Sequence, residues 1–153
     1  MNKYQELVEG IARKHGLSKS LVYAICVAES GLDTWAVRFE RKWHWFLSVK
    51  EWAKIVHITS ATERVCQQMS WGLMQIMGSV ARERGFSKDL SQLCRPEIGV
   101  EYGCRQLDYL LKRHYTTSRA LSAYNTGNPD SVKGHEYAEH VMSFMGDNHH
   151  VIR

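Results

Sequence analysis

Between Leu21 and Ala28 the chain is almost wholly apolar, and the run closes on a single carboxylate, Glu29, followed by Ser30 and Gly31. Ser18 stands where an N-cap belongs and Gly31 where a left-handed C′ residue belongs, so the segment reads as a short helix with Glu29 in its last turn. A helix that is apolar on nearly every face is a buried helix, and the rest of the chain must wrap around it. Acidic side chains are rarely buried outright unless paired or functional, which puts Glu29 at the edge of the core. Two effects raise its pKa there: desolvation disfavours the anion, and the negative end of the helix dipole repels it. A carboxyl group that keeps part of its proton near neutral pH can serve as a general acid. The competing reading is a surface Glu that follows the helix and points into water.

The rest of the sequence supports one globular domain over residues 1–153. At 153 residues and 44% hydrophobic content the chain can build a real core. Strand signals are weak, so the expected class is mainly α with at most a small β element. The net charge of +4 is spread along the chain and suits a polyanionic partner without naming one. No helix-turn-helix, zinc-finger or RNA-binding signature is present, so nucleic acid is not the expected partner. The start, Met1 to Glu6, is polar and no apolar run reaches membrane length, so neither a secretory signal nor membrane insertion is expected, and a monomer made in the cytosol is.

Cys26, Cys66, Cys94 and Cys104 contain no C-x-x-C pair, which argues against a zinc knuckle or a thioredoxin-type motif. Reduced, buried thiols are the expectation, with a Cys94–Cys104 bridge left open. His135 and His140 flank a segment like a zinc-protease helix, but they stand five residues apart, and only a spacing of four puts both on one face. No metal and no cofactor are expected, and His149 and His150 read as solvated tail.

Taken in order, Tyr4, Leu7, Val8, Ile11 and Ala12 predict a first amphipathic helix ending before Gly16. Residues 32–40 show no clean period. Trp43, Trp45, Phe46 and Leu47 then cluster around His44, either as a satellite core, the favoured reading, or as a wall on which sugars stack. Residues 48–56 predict a short helix, and 57–68 a polar connection with a helical turn near Glu63. In Trp71-Gly72-Leu73-Met74-Gln75-Ile76-Met77-Gly78, Leu73 and Ile76 read as core, while Gln75 is a lone amide that needs partners and Met77 fits a core less well. Ser70 is placed to cap a helix running on to Gly85. Pro96 opens a further helix with Val100, Cys104, Leu107 and Leu111 on one face. Thr126-Gly127-Asn128-Pro129 stops another, leaving Tyr124 and Asn125 at its end, facing a cleft. A last helix over 135–146 turns Tyr137, Ala138, Val141, Met142 and Met145 inward.

Three blocks, Glu29-Ser30-Gly31, Gly72-Leu73-Met74-Gln75-Ile76-Met77 and Ala123-Tyr124-Asn125, follow one another in the order found in the soluble lytic transglycosylases, and the chain resembles that family of lysozyme-like, peptidoglycan-cutting enzymes. The resemblance implies a mainly α, lysozyme-like (α+β) domain with a substrate cleft. It also implies that Glu29 is the catalytic acid and base, with Gln75, Met77, Tyr124 and Asn125 lining the glycan site and peptidoglycan strands as partner. The chain departs from the family in one respect. A long segment carrying the Trp43–Phe46 cluster replaces the usual short Ser-containing loop, with Arg38 near the place of its substrate-facing Ser. Ser70 or Arg38 then stands in for that Ser. Insertions of this kind resemble the phage and prophage branch, which implies action on the wall after release or within a virion.

Glycosidases usually carry two carboxylates. Here only Glu29 stands out, and nothing in the sequence singles out Asp33, Glu40 or Glu63 as a second. The resemblance implies a one-carboxylate route: Glu29 protonates the leaving oxygen, the substrate's N-acetyl group assists, and Glu29 then deprotonates the C6 hydroxyl to leave a 1,6-anhydro muramic acid end. Tyr124 would bond near Glu29 or the acetamido group, and Gln75 would fix the sugar. The rivals are a lysozyme-type hydrolase with Glu40 or Glu63 as base, and a virion protein that binds glycan without cutting it.

Overall fold

The computed structural model describes residues 2–148, and His149 and His150 lie outside them. The order is α1 (Gln5–Lys14), α2 (Lys19–Ser30), β1 (Val37–Phe39), α3 (Val49–Val56), α4 (Ser60–Gln67), β2 (Met69–Trp71), β3 (Ile76–Met77), α5 (Gly78–Glu83), a 3-10 turn (Leu90–Cys94), α6 (Pro96–His114), α7 (Thr117–Thr126) and α8 (Val132–Asn148). This is a mainly α, lysozyme-like arrangement with one small antiparallel sheet.

The apolar run is the helix its caps predict. The Ser18 hydroxyl accepts a hydrogen bond from the Leu21 N–H, and Gly31 takes φ +59° and ends the helix. Val22, Ala24, Ile25 and Cys26 are wholly buried. Around them pack Val8 and Ala12 of α1, Val100, Cys104 and Leu107 of α6, Leu121 of α7 and Ala138 and Val141 of α8. Gly103 belongs in this layer because a methyl group there would collide with the Met74 sulfur, so its lack of a side chain lets the Met74 turn seat against α6. A second cluster, built from Trp71, Ile76, Ala81, Phe86, Leu90, Leu93 and Cys94, lies under the sheet.

The segment around Ser70 differs from its sequence reading. Ser70 caps no helix; it sits in β2, and residues 69–77 form a hairpin whose turn carries Gly72 at φ +71° and Gln75 at φ +48°. Left-handed backbone at two places breaks a helix. Leu73 and Met74 therefore enter the first core from a turn, whereas apolar periodicity alone reads them as helical. A methyl group on Gly72 would also sit 2.5 Å from the Leu93 carbonyl oxygen. Residues 37–39, read as irregular, form an edge strand paired with β2. The polar connection is two turns of helix, α4, capped by the Thr59 hydroxyl on the Thr62 N–H. The last helix begins at Val132, and Met142 is turned to solvent rather than inward.

All four cysteines are free, and Cys94 and Cys104 fall in different clusters. Burial pushes the Cys104 thiol up to about 12 and raises Cys26 as well, so both stay protonated. No helix among the described residues is long and apolar enough to cross a membrane.

Candidate active site

The end of α2 carries Glu29 to the floor of a cleft of about 1140 Å³. Along one side runs the sheet. Its register puts Arg38, Ser70 and Met77 in a single row across the three strands, and since side chains alternate along a strand, all three face the same way, into the cleft. Glu40, two residues beyond Arg38, shares that face. Trp43, His44 and Trp45 also line the cleft, as do Tyr109 and Arg113 of α6 and Tyr124 and Asn125 at the end of α7.

The three blocks found in the sequence meet through bonds from side chains to backbone. The Ser30 hydroxyl lies 2.8 Å from the Leu73 carbonyl oxygen, and the Tyr124 hydroxyl donates to the Met74 carbonyl at 2.7 Å. Both acceptors belong to the Gly72–Gln75 turn, which would otherwise bury unpaired carbonyls. Gln75 secures the same turn: its amide nitrogen donates to the Ala36 and Gly72 carbonyls, and its oxygen accepts from Ser70 Oγ at 2.9 Å. Both amide protons are thus engaged inside the protein.

Glu29 is held by a residue that the sequence reading assigned to packing. The Tyr137 hydroxyl on α8 donates to Glu29 Oε1 at 2.6 Å, whereas Tyr124, the tyrosine expected near Glu29, reaches the Met74 carbonyl instead. The signal for Tyr137 was a phenol within an otherwise apolar helix face, because a buried hydroxyl needs a partner and Glu29 was the unpaired acceptor at the core's edge. Arg38 donates from Nη2 to the Glu29 backbone carbonyl at 3.0 Å. The Glu29 pKa is raised. Burial is the largest cause and Glu40 adds to it, while the Tyr137 bond and Arg38 pull the other way. Tyr137 and Tyr124 are themselves pushed up, first by burial and then by the Glu29 charge, and remain donors.

Of the other acids weighed as a second carboxylate, Glu40 lines the cleft and Glu63 does not. Glu63 is wholly buried, with its oxygens 2.8 and 2.9 Å from the Arg82 guanidinium. Asp33 accepts from the Trp35 N–H in a turn outside the cleft. Among the described residues no group of three metal-ligating side chains comes together; His135 bonds Ser118 and His140 stacks edge-on against Phe144.

The aromatic segment is tied down on two sides. Trp43 Nε1 donates to the Trp45 carbonyl at 2.7 Å and lies 2.9 Å from Ser79 Oγ, and the buried Gln67 amide holds both the N–H and the carbonyl of Leu47. Trp45 meets Trp43 edge to face and remains 40% exposed. The segment is thus a packed element that still presents a ring to the cleft. Trp45→Ala should weaken binding of a soluble glycan oligomer by about 2- to 10-fold, the worth of one aromatic contact, with the denaturation midpoint nearly unchanged. Calorimetric titration beside a urea melt checks this, and a large loss of stability with intact binding would make Trp45 core only.

The helical scaffold, the small sheet forming one wall and an acid at the end of a buried helix together define a lysozyme-like domain. The family model for the transglycosylase SLT domain matches residues 6–141, and the chain belongs to that family. No curated protein and no solved structure matches the chain.

Proposed function

We infer that the protein is a peptidoglycan lytic transglycosylase in which Glu29 is both acid and base. Membership of the SLT family makes peptidoglycan the substrate class. The observation that carries the finer reading is the setting of Glu29: half-buried at the floor of the cleft, its carboxyl kept prone to protonation by burial and held in place by Tyr137. A pure glycan binder has no use for such a group, whereas a general acid needs it. Glu29 would donate its proton to the glycosidic oxygen as the C1–O bond breaks, the acetamido carbonyl oxygen would bond to C1, and Glu29 would then take the C6 hydroxyl proton as O6 displaces it. Ser70, Gln75, Met77, Tyr124 and Asn125 support this reading in different ways. Met77 and Asn125 would meet the sugar directly; Ser70, Gln75 and Tyr124, with their donors engaged inside the protein, would hold the cleft's shape.

Digestion of purified cell walls, followed by mass analysis of the released muropeptides, tests the assignment. Anhydro ends, one water lighter than reducing ends and resistant to borohydride, are expected as the main product. Predominantly reducing ends would make the protein a hydrolase on the same fold.

A further inference from the structure

Glu40 is a carboxylate in the cleft for which the one-acid reaction has no use. It follows β1, and its Oε1 lies 3.2 Å from Ser70 Oγ. Ser70 has a single proton, and the Gln75 oxygen, at 2.9 Å, is the closer acceptor. Glu40 is therefore not saturated by Ser70 and keeps acceptor capacity toward the cleft. Among the described residues it also takes part in no ion pair.

The neighbouring groups sharpen the argument. Reaction through an acetamido group requires an acceptor for its N–H, so that the carbonyl oxygen turns to C1, and it generates a cation at the sugar. The Ser70 and Gln75 protons are engaged, and Arg38 has only protons to offer. Asn125 lines the cleft too but is neutral. Glu40 alone among these combines an open acceptor with a negative charge.

We propose that Glu40 is a second catalytic carboxylate: it accepts the acetamido N–H of the sugar being cut, aims the carbonyl oxygen at C1 and offsets the positive charge that forms there. The role rests on the transglycosylase reading. In the first step the C1–O4 bond breaks with the Glu29 proton going to O4, the acetamido oxygen bonds to C1, and the N–H proton stays on nitrogen, shared with Glu40 throughout. In the second step O6 bonds to C1, the acetamido oxygen leaves with its electron pair, and the C6 hydroxyl proton returns to Glu29. Glu40 carries its charge through both steps and exchanges no proton. Preorganised charge of this kind in a water-poor site is worth about 10²- to 10³-fold in rate.

The test is Glu40→Gln, with Glu40→Asp beside it, on a soluble glycan substrate with products resolved by mass. The expected result is a fall in kcat of about 10²-fold with KM changed much less, anhydro ends retained, and partial recovery in Glu40→Asp. The alkaline limb of the pH profile should also move to lower pH. Glu29 is the group titrating there; Glu40 raises its pKa, Tyr137 on α8 and Arg38 on β1 lower it, and Tyr124 on α7 stays neutral, so removing the Glu40 charge leaves Glu29 easier to ionise. A merely structural Glu40 would lower the yield of folded protein and leave the kcat of the molecules that fold at the parent's value. An unchanged kcat, or reducing ends in the parent that vanish in Glu40→Gln, would overturn the proposal, the latter by making Glu40 the base for a water. Reducing ends in the parent would overturn the transglycosylase reading along with the role of Glu40, whereas an unchanged kcat in Glu40→Gln with anhydro ends in the parent would leave that reading and the assignment of Glu29 intact.

Discussion

Glu29→Gln should abolish wall cleavage while leaving the protein folded. The amide keeps the shape of the carboxyl and can still accept from Tyr137, but it can neither give the proton to the leaving oxygen nor take one from the C6 hydroxyl. Positioned acid–base catalysis contributes about 10²- to 10⁴-fold, and one group here serves both steps, so the loss in kcat should reach or exceed the upper figure. Turbidity clearing of purified walls measures it. Near-parental clearing by a folded Glu29→Gln protein would end the transglycosylase reading.

The stability of the same variant carries a signed expectation. The Glu29 pKa is higher in the folded chain than in the unfolded one, so the native state binds the extra proton between those two values. Stability of the parent should therefore fall as pH rises from the unfolded carboxylate range through the raised folded value, and stay level above it. Glu29→Gln removes that fall. Urea midpoints should be close for the two proteins at acid pH and favour the variant near neutral pH, while an equal gap at every pH would mean that Glu29 titrates normally.

Glu63→Gln is expected to have the largest effect on stability. The Glu63–Arg82 pair is wholly buried, and the guanidinium also donates to the Phe86 and Lys88 carbonyls and lies over the Trp52 ring at 4.7 Å. Neutralising one partner strands a charge inside the protein, at a cost of about 3–5 kcal/mol. The double replacement Glu63→Leu with Arg82→Met should be milder than the sum of its parts, since no isolated charge remains. Denaturant melts of the single and double variants check this. The kcat of the molecules that stay folded should match the parent's, because Glu63 lies away from the cleft; a stable Glu63→Gln protein with lost kcat would contradict that placement.

Much of the site was legible before any fold was known, for reasons that differ from residue to residue. Glu29 stood out because a carboxylate at the end of an apolar helix breaks a local rule, and such breaks gather at functional sites. Gln75 stood out the same way, as an amide among large apolar side chains. Its partners did not: Ala36 and Ser70 reach it only because β1 and β2 pair. Tyr137 was read as packing because its hydroxyl finds Glu29 across 108 residues, a separation over which periodicity carries no information. Glu40 and Glu63 looked alike in the sequence; the fold exposes one to the cleft and buries the other against Arg82.

What the chain determined by itself was local. The Ser18 cap and the Gly31 stop on α2, Pro96 at the start of α6 and Gly127 at the end of α7 each act through bonds and dihedral limits within a few residues, and each holds in the folded protein. The order of the three blocks was equally plain in the sequence. What only the tertiary structure decided was everything that depends on a distant surface: a three-residue strand too short to show a period, a hairpin in which a non-glycine residue takes a left-handed backbone because core packing and two carbonyl partners hold it, and the choice of which tyrosine serves the acid. Local propensity ranks conformations by about a kilocalorie per mole or less per residue, and the burial of a single large side chain outweighs that, so wherever the two disagreed the packing won.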